Sequence, residues 1–201
     1  MASGVFDDAL LKHLWSTDEL RAIFSDTNRV QKWYDYESAL ALEQAALGII
    51  PEAAACEIAA KASVKNVDVE AIAVEIRHIK HPLVPALKAV EKLCRDGLGE
   101  YIHFGPTTQD VLDTGTVLQI KEAHAIFLRD VRAIGRALAR LAEAHRATPM
   151  VGRSQWRAGA ADHVRPQSGH LALGDGTQLQ KAHRSLRTVQ RGKGGLLHHA
   201  A

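Results

Sequence analysis

The chain has 201 residues, of which 46% are hydrophobic and 24% are charged. These proportions are typical of a soluble globular protein that is long enough to bury a core. The formal net charge of +2 at pH 7 gives no reason to expect a nucleic acid or a membrane surface as a partner. No apolar run approaches the ~20 residues of a membrane-spanning helix, so no such helix is predicted.

The cysteines and the N-terminus favour a cytoplasmic protein. Cys56 and Cys94 lie in helical patterns, far from any CxxC spacing, and we expect two reduced thiols. The N-terminal stretch MASGVFDDALLKHLW lacks the basic segment followed by an apolar one that marks a secretory signal peptide.

Two helices are predicted before residue 50. Residues 16–19, STDE, form a capping-box pattern ahead of a short helix that ends near Phe24. Asp26 is expected to cap a longer helix, and Gly48 is placed to end it. Helical spacing within that longer segment relates Val30, Trp33, Tyr34, Glu37, Leu40, Ala41, Gln44 and Leu47.

Proline and aspartate mark the next three predicted helices. Pro51 suits a first helical turn, and Asp68 opens a segment that reaches Ile79. Pro85 sits in the first turn of a further segment that reaches Cys94. Because no segment shows the period-two alternation of a strand, the predicted fold class is all-α.

One very long helix is predicted to start after Thr107. Residues 107–147 contain no proline, and a row of apolar residues recurs there every seven positions, at Ile120, Phe127, Ile134 and Leu141. A helix of about 38 residues, roughly 57 Å long, exceeds the diameter of a small domain. We therefore expect it to pack along other long helices in an oligomeric bundle.

The composition changes after Ser154. Residues 155–201 contain two acidic residues against seven Lys or Arg, and they have no Glu, Ile, Phe, Tyr or Met. A natural, basic, disordered tail is one interpretation. A metal site is not predicted, because the spacing matches no ligand pattern for the five histidines of this segment: His163, His170, His183, His198 and His199.

A frameshift is the interpretation that we favour for residues 155–201. Read one base later, the codons permitted from Trp156 onward allow the text QALPITFG, and residues missing from the written tail return. One inserted base after the Ser154 codon is sufficient. Sequencing the genomic locus tests this hypothesis, since an uninterrupted frame with the same tail in close relatives would contradict it.

Three segments carry a family resemblance. Residues 101–114, YIHFGPTTQDVLDT, resemble the first signature region of the fumarase/aspartase superfamily. Residues 36–41 and 47–51 resemble its E-x-A-L-A and L-G-x-I-P motifs, and residues 145–153 resemble the approach to its second signature region. Gln109 and the stretch from His81 to Pro85 lean toward 3-carboxy-cis,cis-muconate cycloisomerase, whereas Arg77-His78 is similar to adenylosuccinate lyase.

The resemblance implies a division of the chain. Residues 1–106 would form an N-terminal helical lyase domain and residues 107–154 the first long helix of a central helical bundle. Residues 155–201 would be an aberrant, disordered tail. Members of the family act on small polycarboxylates by anti β-elimination or a related ring closure, without a cofactor, as cytoplasmic homotetramers.

The resemblance also implies the site residues. Such an elimination builds negative charge on a substrate carboxylate, and the donors at a helix N-terminus can stabilise it. Taken alone, Thr107 or Thr108 is better explained as a plain helix cap, and His103 is equally well a structural histidine. With the resemblance, the expected catalytic residues are His103 and His78, and the expected substrate-binding residues are Thr107, Thr108, Gln109, Arg153 and Ser154.

The third signature region, a G-S-S-x-M-P loop that carries the catalytic serine, does not occur in this chain. Family active sites combine signature regions from three subunits, so we expect this chain to be inactive alone. The alternative from another class is a helical module that serves oligomerisation or scaffolding only.

Overall fold

The computed structural model describes residues 8–154 and 157–163, which are mainly helical. The α-helices in these residues are α1 Lys12–Trp15, α2 Asp18–Ile23, α3 Asp26–Ala46, α4 Glu52–Lys61, α5 Val69–Ile79, α6 Val84–Glu91 and α7 Thr108–Ala144. Short 3₁₀ helices follow α4 and α6, at Val64–Asn66 and Leu98–Tyr101, and the strands β1 Pro149–Ser154 and β2 Arg157–His163 follow α7. The predicted all-α class is confirmed, with one hairpin added.

Side-chain caps start three of the helices. The Thr17 hydroxyl accepts from Leu20 N–H at 3.3 Å, and the Asp68 carboxylate accepts from two backbone N–H groups at the start of α5. The predicted Asp26 cap is wrong, because the Ser25 hydroxyl accepts from Asn28 N–H at 3.2 Å. Ser25 holds the extended backbone of a cap, and Asp26 is the first helical residue of α3.

The predicted end of α3 at Gly48 is confirmed. Gly48 takes a φ of +71°, and Ile49 N–H donates to the Gln44 carbonyl at 2.8 Å. This left-handed residue and the backward hydrogen bond satisfy the last carbonyls of the helix. The segment predicted to reach Cys94 is shorter, since α6 ends at Glu91 and continues as single turns.

The core lies between α3 and the helices that pack on it. Tyr34, Leu83, Val90 and Val111 are fully buried, so one cluster joins α3, α6 and the first turn of α7. The Tyr34 hydroxyl donates to the Ala86 carbonyl at 3.0 Å, which satisfies the one polar atom of its side chain. A smaller cluster around Ile58 joins α3 to α4.

The long helix α7 has 37 residues, close to the predicted length. Its apolar residues Ile120, Phe127, Ile134 and Leu141 are 39–52% exposed, so the stripe predicted from the sequence is present on the surface of the chain. Among the described residues, one compact unit ends at Ala123 and another begins at His124, and α7 contributes to both.

The second unit contains the hairpin. β1 pairs antiparallel with β2, from Pro149 opposite His163 to Ser154 opposite Arg157, with a bulge between Val151 and Arg153. The sequence does not predict strands here, because neither segment alternates apolar and polar residues. The two strands form because each supplies the backbone hydrogen-bond partners of the other. Residues 155–156 and 164–201 lie outside the described residues, and the frameshift hypothesis for residues 155–201 stays a prediction.

Within residues 8–154 and 157–163, none of the helices is long and apolar enough to cross a membrane. The same residues contain no group of three or more His, Cys, Asp or Glu side chains that could hold a metal ion.

Candidate functional site

The loop before α7 is held in an unusual conformation. His103 takes a left-handed φ of +61° and Gly105 a φ of +95°. A non-glycine residue in this region stores about 1–2 kcal/mol of strain, so the surroundings must hold it. The Gln44 side chain of α3 holds this loop, because its Nε2 donates to the Phe104 carbonyl at 2.7 Å.

The His103 side chain contacts Glu37, which lies on α3 as Gln44 does. The two side chains meet at 2.7 Å between Nδ1 and Oε1. The Glu37 side chain has no exposed surface, while that of His103 keeps 18%. Burial raises the pKa of the Glu37 carboxyl, and the neighbouring His103 partly opposes this rise. The Glu37 carboxylate is therefore closed to solvent, and of the two side chains only the His103 imidazole is partly exposed.

The start of α7 combines a cap with a second histidine. Thr107 N–H donates to the Asp110 carboxylate at 3.0 Å, so Asp110 already occupies one donor of the helix N-terminus. Thr108, the first residue of α7, lies 3.4 Å from His81, between Oγ1 and Nε2. Thr107 is exposed and Thr108 half-buried, so neither belongs to the core.

The tautomer of His81 follows from its hydrogen bonds. Its Nδ1 accepts from the backbone N–H groups of Leu83 and Val84 at 3.3 and 3.1 Å, at the start of α6. In a neutral imidazole the proton then lies on Nε2, which donates to the Thr108 hydroxyl. The hydroxyl keeps its own proton available as a donor.

Tyr36 is buried next to Glu37 on α3. Burial raises the pKa of its phenol, and the negative charges of Glu37 and Asp110 raise it further. One buried ring on α3 is thus close enough to both carboxylates to sense their charge. Glu37, Tyr36 and Asp110 thus form one electrostatic neighbourhood.

The other predicted site residues have different surroundings. Gln109 is exposed, and its amide donates to Asp113 at 2.7 Å along α7. His78 is exposed in the last turn of α5. The helix dipole favours positively charged side chains at this end of a helix. Arg153 and Ser154 belong to β1 in the second unit.

Two residues that contact predicted site residues were not predicted from the sequence. They are Glu37, which contacts His103, and His81, which contacts Thr108. Glu37 shares the helical spacing of the apolar residues of α3. Nothing in the motif around it indicates a contact with a histidine 66 positions later. The sequence marks His81 only as part of the stretch that resembles the cycloisomerase, and its contact with Thr108, 27 positions later, depends on tertiary packing.

A cavity of about 620 Å³ lies elsewhere in the first unit and is lined by none of the predicted site residues. Its polar side chains include Asn28, Gln31 and Glu122, and these already hydrogen-bond to one another or to the backbone. We assign no ligand to it.

Comparison with known proteins places the chain in a family. A family model described as Lyase matches residues 14–160. N-acetyl-S-(2-succino)cysteine lyase from Dickeya dadantii is 44% identical over 154 residues, which are 77% of this chain and 34% of that protein. Adenylosuccinate lyase from Methanocaldococcus jannaschii is 38% identical over 144 residues, 72% of this chain and 31% of that protein.

A solved structure of a related enzyme has a similar fold. The 3-carboxy-cis,cis-muconate lactonizing enzyme from Pseudomonas putida superposes with a TM-score of 0.83 at 28% identity, over 88% of this chain and 41% of that one. The chain spans about one third of the length of the curated relatives that it matches. The chain belongs to the fumarase/aspartase superfamily of lyases, in the branch that includes adenylosuccinate lyase and 3-carboxy-cis,cis-muconate cycloisomerase.

Proposed function

We propose that this chain is the first part of a cytoplasmic lyase or cycloisomerase that acts on a small polycarboxylate by anti β-elimination. In this proposal residues 1–106 are its N-terminal helical domain and residues 107–154 begin its central helical bundle. Residues 155–201 are an aberrant tail. The share of its relatives that the chain spans supports the further proposal that it is inactive alone.

The substrate class that we favour is a substituted succinate. Two of the relatives are named for a 2-succino compound and for adenylosuccinate. A base removes the proton from the carbon beside one carboxylate, the leaving group departs from the neighbouring carbon with its bonding electrons, and a C=C bond forms. The carboxylate beside the proton gains negative charge in this step and needs donors that are already in place.

Thr108 is the donor on which the proposal depends. Because His81 Nε2–H is directed at the Thr108 oxygen, the hydroxyl proton remains for a substrate carboxylate at the positive end of a 37-residue helix. Thr107 and Gln109 would add donors, and Arg153 and Ser154 would contribute from the second signature region. His103 would take part in proton transfer, with His78 as a further candidate.

The intact enzyme is proposed to work as a homo-oligomer, a tetramer by analogy with the family. The exposed stripe on α7 supports this, and it equally supports the second candidate function, a helical oligomerisation module without catalysis. The two candidates differ in whether a carboxylate binds at Thr108.

Succinate binding to the chain, followed by NMR titration, separates them. We expect weak binding, and an affinity reduced about tenfold or more in Thr108→Ala, the range for a lost hydrogen bond to a charged group. Thr116→Ala is the matched control, because Thr116 is exposed on the same helix and its hydroxyl bonds to the Leu112 carbonyl. Equal effects of the two substitutions, or no binding by the unaltered chain, would count against the lyase site.

Activity tests the proposal in a full-length protein with the frame restored after Ser154. There, Thr108→Ala should lower kcat by about 10²–10³, the loss seen when one donor to a developing oxyanion is removed. Unchanged elimination of a substituted succinate in that variant would remove Thr108 from the site.

A further inference from the structure

Glu37 and Gln44 hold successive residues of the loop that leads into α7. They lie seven residues apart on α3, so they share one face of the helix. Glu37 contacts the His103 imidazole, and Gln44 contacts the Phe104 carbonyl. One residue therefore restrains a side chain and the other restrains the backbone, and the left-handed turn at His103 lies between them.

When the His103 imidazole is neutral, its hydrogen bond with Glu37 has two possible proton positions. In one, an ionised Glu37 accepts from Nδ1–H, and His103 Nε2 carries the lone pair. In the other, a neutral Glu37 donates to Nδ1, and Nε2 carries the proton. The two states present opposite chemistry to a ligand, since Nε2 is a base in the first and a donor in the second.

Burial of Glu37 opposes its ionisation, whereas its contacts with His103 favour the ionised carboxylate. Oε1 meets the His103 Nδ1 at 2.7 Å, and the backbone N–H of His103 also acts on the carboxylate as a donor, while Oε2 has no partner among the described residues. A neutral carboxyl would donate to Nδ1 in an ordinary hydrogen bond. An ionised one gains the stronger, charge-assisted bond. Tyr36 and Asp110 are the other titratable groups of this neighbourhood.

We propose that Glu37 is a positioning residue that fixes His103 as the Nδ1–H tautomer and so makes Nε2 its basic nitrogen. His81 is the complement, because its Nδ1 accepts from backbone and its Nε2 carries the proton. His81 thus offers a donor at Thr108, and His103, five positions earlier in the chain, offers a base; proton removal next to a bound carboxylate requires both kinds of group. This inference rests on the proposed function for its purpose.

Long-range ¹H–¹⁵N NMR of the ¹⁵N-histidine-labelled chain, without ligand, tests the proposal. His103 is assigned by the signals that His103→Gln removes. We expect a protonated Nδ1 and an unprotonated Nε2 in the unaltered chain, and a shift of the population toward Nε2–H in Glu37→Leu. A wild-type spectrum with the proton on Nε2 would overturn the proposal, and so would a tautomer that Glu37→Leu leaves unchanged.

Gln44→Leu is the matched control. It removes the other anchor of the same loop from the same face of α3, so it perturbs the backbone without touching the imidazole. Its His103 should keep the Nδ1–H tautomer; a change equal to that of Glu37→Leu would mean that loop packing alone sets the tautomer. If Glu37→Leu does not fold, the wild-type spectrum still decides.

The tautomer and the succinate titration separate the two proposals. Loss of succinate binding with the Nδ1–H tautomer intact would refute the lyase site and leave the role of Glu37 standing. Succinate binding with the opposite tautomer would do the reverse.

Discussion

Gly115 lets α7 approach α3 at the ring of Trp33. A Cβ at Gly115 would lie 2.8 Å from Trp33 Cδ1 and 3.1 Å from Nε1. The ring is buried, with 6% exposed, and a planar indole cannot fold away as the end of a flexible side chain does. The glycine thus serves a packing need inside a helix, where its flexibility is unfavourable.

We predict that Gly115→Ala destabilises the chain by about 1–3 kcal/mol, because overpacking outweighs the better helix propensity of alanine. Gly135→Ala on the same helix is the control, since nothing lies within 4 Å of its Cβ position. It should be neutral or stabilise by up to about 1 kcal/mol. Thermal unfolding measures both, and similar melting temperatures for the two variants would contradict the packing argument.

The residues that escaped sequence analysis share a cause. Glu37 and His81 are recognisable only by their partners, His103 and Thr108, which lie 66 and 27 positions away. Spacing along one helix predicts which residues share a face, but it carries no information on which face of another element they meet.

At the scale of elements, polar contacts join α3 to the middle of α7. Glu122 accepts from Lys32 at 2.6 Å and from Asn28 at 3.0 Å. Gln119, which is buried, donates from Nε2 to the Ile23 carbonyl at 2.7 Å. These contacts hold the first half of α7, up to Ala123, against the N-terminal helices.

The Lys32–Glu122 pair predicts a pH dependence. Burial opposes ionisation of Glu122, but the hydrogen bonds from Lys32 and Asn28 outweigh it and lower its pKa. A carboxyl with a lowered pKa in the folded state stabilises the fold above its ordinary pKa, and this contribution is lost as the pH falls through the lowered value.

Glu122→Gln should therefore be less stable than the unaltered chain at neutral pH, by about 1 kcal/mol or less because Glu122 is partly exposed and screened. The two proteins should converge as the pH falls below the pKa of the native Glu122. Urea unfolding across that range is the measurement, and a difference that stays constant with pH would contradict the assignment.

At the scale of the whole molecule, the exposed stripe on α7 is a surface that could meet other helices. Four large apolar side chains recur every seven residues and are 39–52% exposed. A continuous apolar row on a long helix is typical of a surface that packs against further helices.

We predict that the chain associates with itself through this stripe. Light scattering should show species heavier than the 21.9 kDa monomer, with a mass that rises with concentration. The double substitution Phe127→Glu, Ile134→Glu should shift the population toward monomer. The same change at Leu42 and Val74, exposed apolar residues of α3 and α5, should not. A monodisperse monomer of the unaltered chain would refute the prediction.

The sequence alone determined the helical class, most helix bounds, the long α7 and the family. These follow from local signals: capping residues, the glycine that ends α3, a seven-residue apolar repeat and the ungapped motif around His103. Such signals act within a few turns of the chain, and tertiary packing did not override them.

Only the tertiary structure decided how the candidate site is assembled. It paired His103 with Glu37 and Thr108 with His81. It also paired β1 with β2, which neither strand's pattern predicts. The reason is physical: each of these contacts depends on the distance between segments, and that distance is set by how the helices and strands pack together.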